Sequence, residues 1–321
     1  MAQISVLMNV YNVEAFVAAA VASIQTQTFS DTEIVIVDDG STDGTRRTVE
    51  QIASEDSRVK VVGTVENRGI PHALNLGLEH CSAPFIAKMD GDDIALPARL
   101  EGQLRFLREN PEIALVGCAT TAIDKSGKPI PGFGISRRPT SQESVAKTML
   151  LSPPCLHVWL ARREVYDTLS GYRVMAFAED YDFLLRAVTS GFRLSNLPEA
   201  LMQIRTRSGK ATFRVEVRKA HHYVVGLCRE RLRRGKDSFS REGYLRSVKS
   251  GSIEGGAFLL AMKFAQTGFR CRNRALRYCF LALSAAVSPW QARYFVDRLR
   301  FRIAMHVSAL IVILLRLSNF V

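Results

Sequence analysis

Several familiar signatures are missing from this 321-residue chain, and each absence excludes something. The six cysteines form no C-x-x-C pair and do not gather with histidine at zinc spacing, which excludes a zinc module and fits a reducing compartment. No P-loop occurs, and no G-x-G-x-x-G follows the first apolar run, which excludes the usual nucleotide-phosphate and dinucleotide cradles. The N-terminal Met1 to Val6 has no basic stretch or cleavage site and reads as a first strand, not a signal peptide. No apolar run reaches the roughly 18–20 residues a membrane-spanning helix needs. With 47% hydrophobic and 23% charged residues, the chain is neither disordered nor fibrous.

Charge is present in excess, and unevenly. From 211 to 321 there are 21 basic and 6 acidic residues, a net +15, whereas residues 1–210 carry 22 and 25, a net −3. Two regions with different partners are expected: 1–210, and a basic helical 211–321.

The first hundred residues alternate strand and helix. Ile4 to Met8, Ile34 to Val37, Val59 to Val62 and Phe85 to Met89 read as strands. Between them, Asn12 is expected to cap a helix with an apolar face of Phe16, Ala20 and Ile24, and a second helix starts near Ser41 to Asp43, where Asp43 itself reads as a cap. Gly69 to Leu78 is a third helix, and Pro97 opens a fourth. Strands fed by helices imply a mostly parallel sheet with helices on both faces. Residues 101–210 are less regular, with a helix from Asp180 to Ser190 and two short strands, Arg193 to Asn196 and Leu201 to Arg205; they read as a second half closing over the ends of the first sheet.

Ligands in open α/β sheets bind beyond the carboxyl ends of the strands. Two acidic clusters fall there: Asp38-Asp39, and Asp90-Gly91-Asp92-Asp93. Adjacent carboxylates repel unless positive charge lies between them, and a hard cation such as Mg²⁺ or Mn²⁺ with a diphosphate would supply it. Turn and cap aspartates are the plainer alternative.

These segments resemble family 2 glycosyltransferases of the GT-A fold. Val10-Tyr11-Asn12, Val37 to Asp43, Asn67-Arg68-Gly69 with Ala73, Asn75 and Gly77, Met89 to Asp93, and Glu179-Asp180 match that family's motifs in order over residues 1 to about 205. The resemblance implies an α/β fold with a Rossmann-like mixed sheet flanked by helices, residues 1–100 binding the nucleotide sugar and 101–210 the acceptor, followed by a C-terminal helical extension. It implies that Tyr11 lies against the base, Asp39 accepts from its imide, and Arg68 reaches base or phosphate. Asp90 would contact ribose or metal, Asp92 would be the principal metal ligand, and Asp180 the general base. Arg207 stands where the family often has histidine and could clamp the diphosphate; His157 and Glu179 could line the acceptor pocket.

The activity so implied is metal-dependent, inverting transfer of one sugar per cycle from a nucleotide-diphosphate sugar, UDP-linked by preference, to a glycan or lipid-linked acceptor in cell-surface polysaccharide synthesis. A processive synthase would add membrane spans and Q-x-x-R-W, which this chain lacks. A sugar nucleotidyltransferase would carry a glycine-rich basic loop where Asn9 to Asn12 stand; a non-catalytic nucleotide-sugar-binding protein is the third reading. The basic clusters Arg229 to Lys236, Arg270 to Arg277 and Arg298 to Arg302, set beside short apolar runs, suit helices lying on an anionic membrane surface, so the chain is expected in the cytoplasm on the inner face of the membrane. No base-reading motif points to nucleic acid.

Overall fold

A computed structural model describes residues 2–206, 214–271 and 273–318. The chain divides into two compact units: Met1–Val145 with Pro154–Arg207, and Ala146–Pro153 with Ser208–Val321.

The first unit is built on one sheet. Its parallel strands β1 (Ile4–Val10), β2 (Thr32–Asp39), β3 (Val59–Thr64) and β4 (Phe85–Asp90) alternate with helices α1 (Glu14–Gln25), α2 (Thr45–Glu55) and α3 (Ile70–His80). Then follow the two-residue β5 (Ile94–Ala95), α4 (Arg99–Glu109), β6 (Ile113–Ile123), α5 (Gln142–Thr148), which runs across the unit boundary after Val145, β7 (Leu160–Arg162), α6 (Arg163–Leu169), α7 (Glu179–Thr189) and β8 (Arg193–Arg205). The strand order is β3-β2-β1-β4-β7-β6-β8-β5, with β7 antiparallel to both its neighbours and β5 antiparallel to β8.

Side chains alternate between the faces of a strand. Val6, Met8, Ile34 and Ile36 therefore enter one core with Val17, Val21 and Ile24 of α1. Leu7, Val35 and Val37 enter the other with Ala73 and Leu74 of α3 and Phe183 and Leu184 of α7. The same alternation sends Ile86 to the second core and Ala87 and Met89 to the first. At Gly77, α3 lies so close to the sheet that a Cβ would fall 2.3 Å from Leu7 Cδ1 and 2.7 Å from Val37 Cγ2.

The strands β6, β7 and β8 extend the first sheet, because their apolar runs complete the same two cores, and Arg205 and His157 of this half reach the residues at the end of β4. Three expectations change. The two short strands are one continuous β8, parallel to β6, whose register shifts absorb the irregular stretch around Pro198. The buried stripe of α1 is Val17, Ala20, Val21 and Ile24, with Phe16 only partly buried. Asn12 does not cap α1: it sits at φ 49° and its Oδ1 accepts from Thr42 N at 2.8 Å.

The N-terminus of α1 is satisfied from across the sheet end instead. Asn12 N donates to Ser41 Oγ at 3.0 Å, Val13 N to Thr45 Oγ1 at 2.9 Å and Glu14 N to Asp43 Oδ2 at 3.3 Å. These backbone donors would otherwise lack partners. Asp43 also accepts from Thr45 N at 2.9 Å, so it is a turn residue as expected, but the N-cap position of α2 falls on Gly44.

The second unit is helical: α8 (Val215–Arg234), α9 (Arg241–Val248), α10 (Ser252–Arg270), α11 (Arg274–Val287) and α12 (Pro289–Ser318). Phe258, Ala261 and Ala265 of α10 are buried, and Ser284 of α11 donates to the Ala261 carbonyl at 2.7 Å. Among the described residues, no helix is long and apolar enough to cross a membrane.

Candidate active site

Strand register assembles the site. Val10 pairs with Asp38 and Asn9 with Asp90, so the carboxyl ends of β2, β1 and β4 lie side by side. Tyr11 follows β1 directly and is 42% exposed. Asp38 and Asp39 are both buried, on opposite faces of β2. Asp38 accepts from Ser41 N at 3.3 Å. Asp39 shares the face of Val37, toward α3: its Oδ1 accepts from Arg68 N at 2.9 Å and its Oδ2 from Gly69 N at 2.8 Å. Asp39 Oδ1 also accepts from Thr64 Oγ1 at 3.2 Å; Asp39 thus fixes the loop that opens α3, a task the sequence did not reveal, and its Oδ2 keeps a second lone pair. The Arg68 side chain is exposed. Between these elements Gly40 has φ 71°, and a Cβ there would lie 2.5 Å from the Glu66 carbonyl carbon. Only glycine lets the two loops pass.

The second acidic cluster is locked from β8. Arg205 N donates to Asp93 Oδ1 at 2.8 Å, and Arg205 Nε to the Asp92 carbonyl at 2.8 Å. The Asp93 side chain is fully buried. Its Oδ2 lies 3.0 Å from His157 Nε2, which is also 3.5 Å from Asp90 Oδ2. Asp90, Asp93 and His157 each bring a ligand atom within 4.8 Å of the others, a grouping that could hold a metal ion. Two carboxylates and an imidazole are a fitting donor set for Mn²⁺. Burial would favour the neutral imidazole, but Asp90 and the hydrogen bond to Asp93 outweigh it and raise the His157 pKa. Asp92, expected as the principal ligand, is 6% exposed and does not belong to this group.

Glu179 and Asp180 open α7 behind Ala178, whose φ of 65° is unusual for a residue with a Cβ. Glu179 is buried and Asp180 partly so. Burial raises the pKa of both, with the Asp180 charge adding to the effect on Glu179 and Lys88 opposing it at each. Beneath them Trp159 stacks on Phe183 at 5.8 Å between ring centroids, and its Nε1 donates to the Tyr166 hydroxyl at 2.9 Å.

Lys88 is a site residue that sequence reasoning missed. It shares a strand face with Ile86 and Asp90, and its Nζ lies 3.1 Å from Asp90 Oδ1 and 3.4 Å from Asp180 Oδ2. Burial would lower its pKa, but Asp180 and Asp90 outweigh that and keep it charged. The available signal was a lysine inside a strand otherwise apolar to its end, which must find anionic partners. Arg207 lies outside the described residues.

Residues 5–170, half of the chain, match the family model for glycosyl transferase family 2. The chain is similar to the putative glycosyltransferase EpsE of Bacillus subtilis (strain 168), 35% identical over 210 residues, which cover 64% of this chain and 74% of that protein. It is 30% identical over 247 residues to the amylovoran biosynthesis glycosyltransferase AmsE of Erwinia amylovora, covering 76% of this chain and 89% of AmsE. Among solved structures it resembles S. aureus TarS 1–349 in complex with UDP-GlcNAc, at a TM-score of 0.59 and 16% identity over 94% of this chain and 89% of that one. It also resembles the mannosyltransferase PcManGT from Pyrobaculum calidifontis in complex with GDP-Man and Mn²⁺, at 0.57 and 21% over 96% and 87%. The chain belongs to glycosyltransferase family 2, and its first unit has the GT-A fold.

Proposed function

We propose that this chain transfers a single sugar, with inversion, from a nucleotide-diphosphate sugar to a glycan or lipid-linked acceptor in the assembly of a cell-surface polysaccharide. One observation carries the reading: Lys88 Nζ meets both the Asp90 carboxylate at the end of β4 and the Asp180 carboxylate of α7, and Asp90 stands with Asp93 and His157 in one group of possible metal ligands. The name of AmsE and the nucleotide sugars bound by TarS and PcManGT support it.

In this reading exposed Tyr11 and Arg68 meet the nucleotide, with Asp39 beside them. Asp90 and Asp93 with His157 hold a divalent cation, Mn²⁺ or Mg²⁺; Asp92 is the other candidate ligand. When bound, the cation supplies positive charge against the departing diphosphate. Asp180 takes the proton of the attacking hydroxyl, and Glu179 lines the acceptor side. With one base and no second carboxylate assigned as nucleophile, displacement is single and the anomeric configuration inverts. A uridine diphosphate donor is favoured.

The second unit supports peripheral placement on an anionic lipid surface at the inner face of the membrane. Leu276, Tyr278, Cys279 and Leu283 on α11 are exposed, as are Leu259 and Leu260 on α10, in a region of strong positive charge.

The test is transfer by the purified chain from UDP-, GDP- and dTDP-sugars with Mn²⁺ to lipid-linked and oligosaccharide acceptors, the product's anomeric configuration being read by NMR. Asp180→Asn should lower kcat about 10²–10⁴-fold while donor affinity holds. Wild-type rates in that variant, or a retained configuration, would contradict the reading.

A further inference from the structure

A lysine in a strand buried on both faces loses the hydration of its ammonium, and that loss must be met by anionic or dipolar partners. Lys88 is 1% exposed. Its ammonium has three N–H groups and three oxygen neighbours: Asp90 Oδ1 at 3.1 Å, the His157 carbonyl at 3.3 Å and Asp180 Oδ2 at 3.4 Å. Below it stands the Trp159 ring, 5.8 Å from Nζ to the centroid. An ammonium has no other donors and no acceptor, so Lys88 in this arrangement has nothing left to offer a substrate. It acts on the two carboxylates.

Those carboxylates come from different parts of the chain, Asp90 from the end of β4 and Asp180 from the first turn of α7. Without a cation between them they would repel and swing apart. Asp180 is held through one oxygen only: Oδ2 faces Lys88, whereas Oδ1 is buried with no hydrogen-bond partner. With no second hydrogen bond to hold it, the Asp180 carboxylate depends on its contact with Lys88.

We infer that Lys88 is a positioning residue for transfer: its ammonium ties Asp180 to the donor-side Asp90 and so fixes where the Asp180 carboxylate stands when it takes the acceptor's proton. The inference rests on Asp180 being the base. It assigns Lys88 to the acceptor step, so that its loss acts on kcat and not on donor binding.

The test compares Lys88→Met, which keeps the length of the side chain without its charge, with Lys88→Arg, which restores a cation. For each, kcat is measured with saturating donor, affinity for UDP and Mn²⁺ by calorimetry, and the melting temperature by differential scanning fluorimetry. Lys88→Met is expected to lose about 100-fold or more in kcat with nucleotide affinity within about threefold of wild type, and Lys88→Arg to recover about tenfold of that loss. In the Lys88→Met/Asp180→Asn double variant the losses should not multiply, because both changes disable one unit.

A kcat for Lys88→Met within about threefold of wild type, no rescue by arginine, or multiplying losses would overturn the inference. So would a loss confined to nucleotide affinity. Where Lys88→Met does not fold, Lys88→Arg decides: transfer retained above the Asp180→Asn level supports the inference, and transfer at that level with intact nucleotide binding overturns it. A wild-type chain that transfers no sugar with any donor refutes the glycosyl-transfer reading itself, which is a different result from a wild-type chain that transfers sugar and is indifferent to Lys88.

Discussion

His157 Nε2 and Asp93 Oδ2 lie 3.0 Å apart, although one residue precedes β7 and the other belongs to the loop after β4. With Asp90 they form a three-ligand group that differs from the Asp90 and Asp92 pair the sequence offered. His157→Asn should weaken Mn²⁺ binding in the presence of UDP by about tenfold or more, as loss of an oriented imidazole does. Calorimetry with Mn²⁺ checks it. An unchanged affinity would return the ligand role to Asp90 and Asp92.

Asn75 and Tyr172 are linked in the manner of a strand pair. Asn75 Nδ2 donates to the Tyr172 carbonyl and Tyr172 N donates to Asn75 Oδ1, each at 2.8 Å. Asn75→Ala would leave a backbone N–H and C=O without these partners, at a cost of about 2–3 kcal/mol. Urea denaturation should show a lower midpoint with an unchanged slope. A midpoint equal to wild type would refute the bracing role of this asparagine.

Stability in acid should depend on Glu33. Its carboxylate accepts from Ser5 Oγ at 2.5 Å, Ser82 N at 2.6 Å and Lys60 Nζ at 2.8 Å. Burial alone would raise its pKa, but Lys60, Ser5 and Ser82 outweigh it and lower the value from 4.5 to about 2. On acidification the unfolded chain takes up this proton first. The stabilisation is therefore complete above the unfolded value of 4.5 and fades as pH falls toward 2. In Glu33→Gln the melting temperature should be lower at pH 7, and its further decline between pH 5 and 3 shallower than in wild type, by about the share of one carboxylate. Parallel curves for the two proteins would count against this.

Placement on a lipid surface predicts binding to vesicles containing phosphatidylglycerol and little binding to phosphatidylcholine alone. Raising salt from about 0.1 to 0.5 M should release much of the protein, because screening weakens the basic contribution. Leu276→Glu and Leu283→Glu together, on the exposed side of α11, should reduce sedimentation with vesicles while transfer to a water-soluble acceptor continues. Equal binding to neutral and anionic vesicles would remove the electrostatic part of the proposal.

The sequence alone determined the parts whose signal is local. Apolar runs such as Ile34 to Val37 fixed the central strands, because a strand buried on both faces must be apolar throughout. The acids at the ends of β2 and β4 were legible as strand-end residues, and Glu179-Asp180 as a helix opening, because each is set by its immediate neighbours. Tertiary structure decided what depends on residues far apart in the chain. Asp39 reaching Arg68 and Gly69, Arg205 locking Asp92 and Asp93, His157 joining Asp93, and Lys88 spanning Asp90 and Asp180 all follow from which strand lies beside which and which face a side chain takes. Periodicity along one segment tells which residues share a face, but not what the sheet order brings to that face. A buried charge is stable only when such a partner arrives.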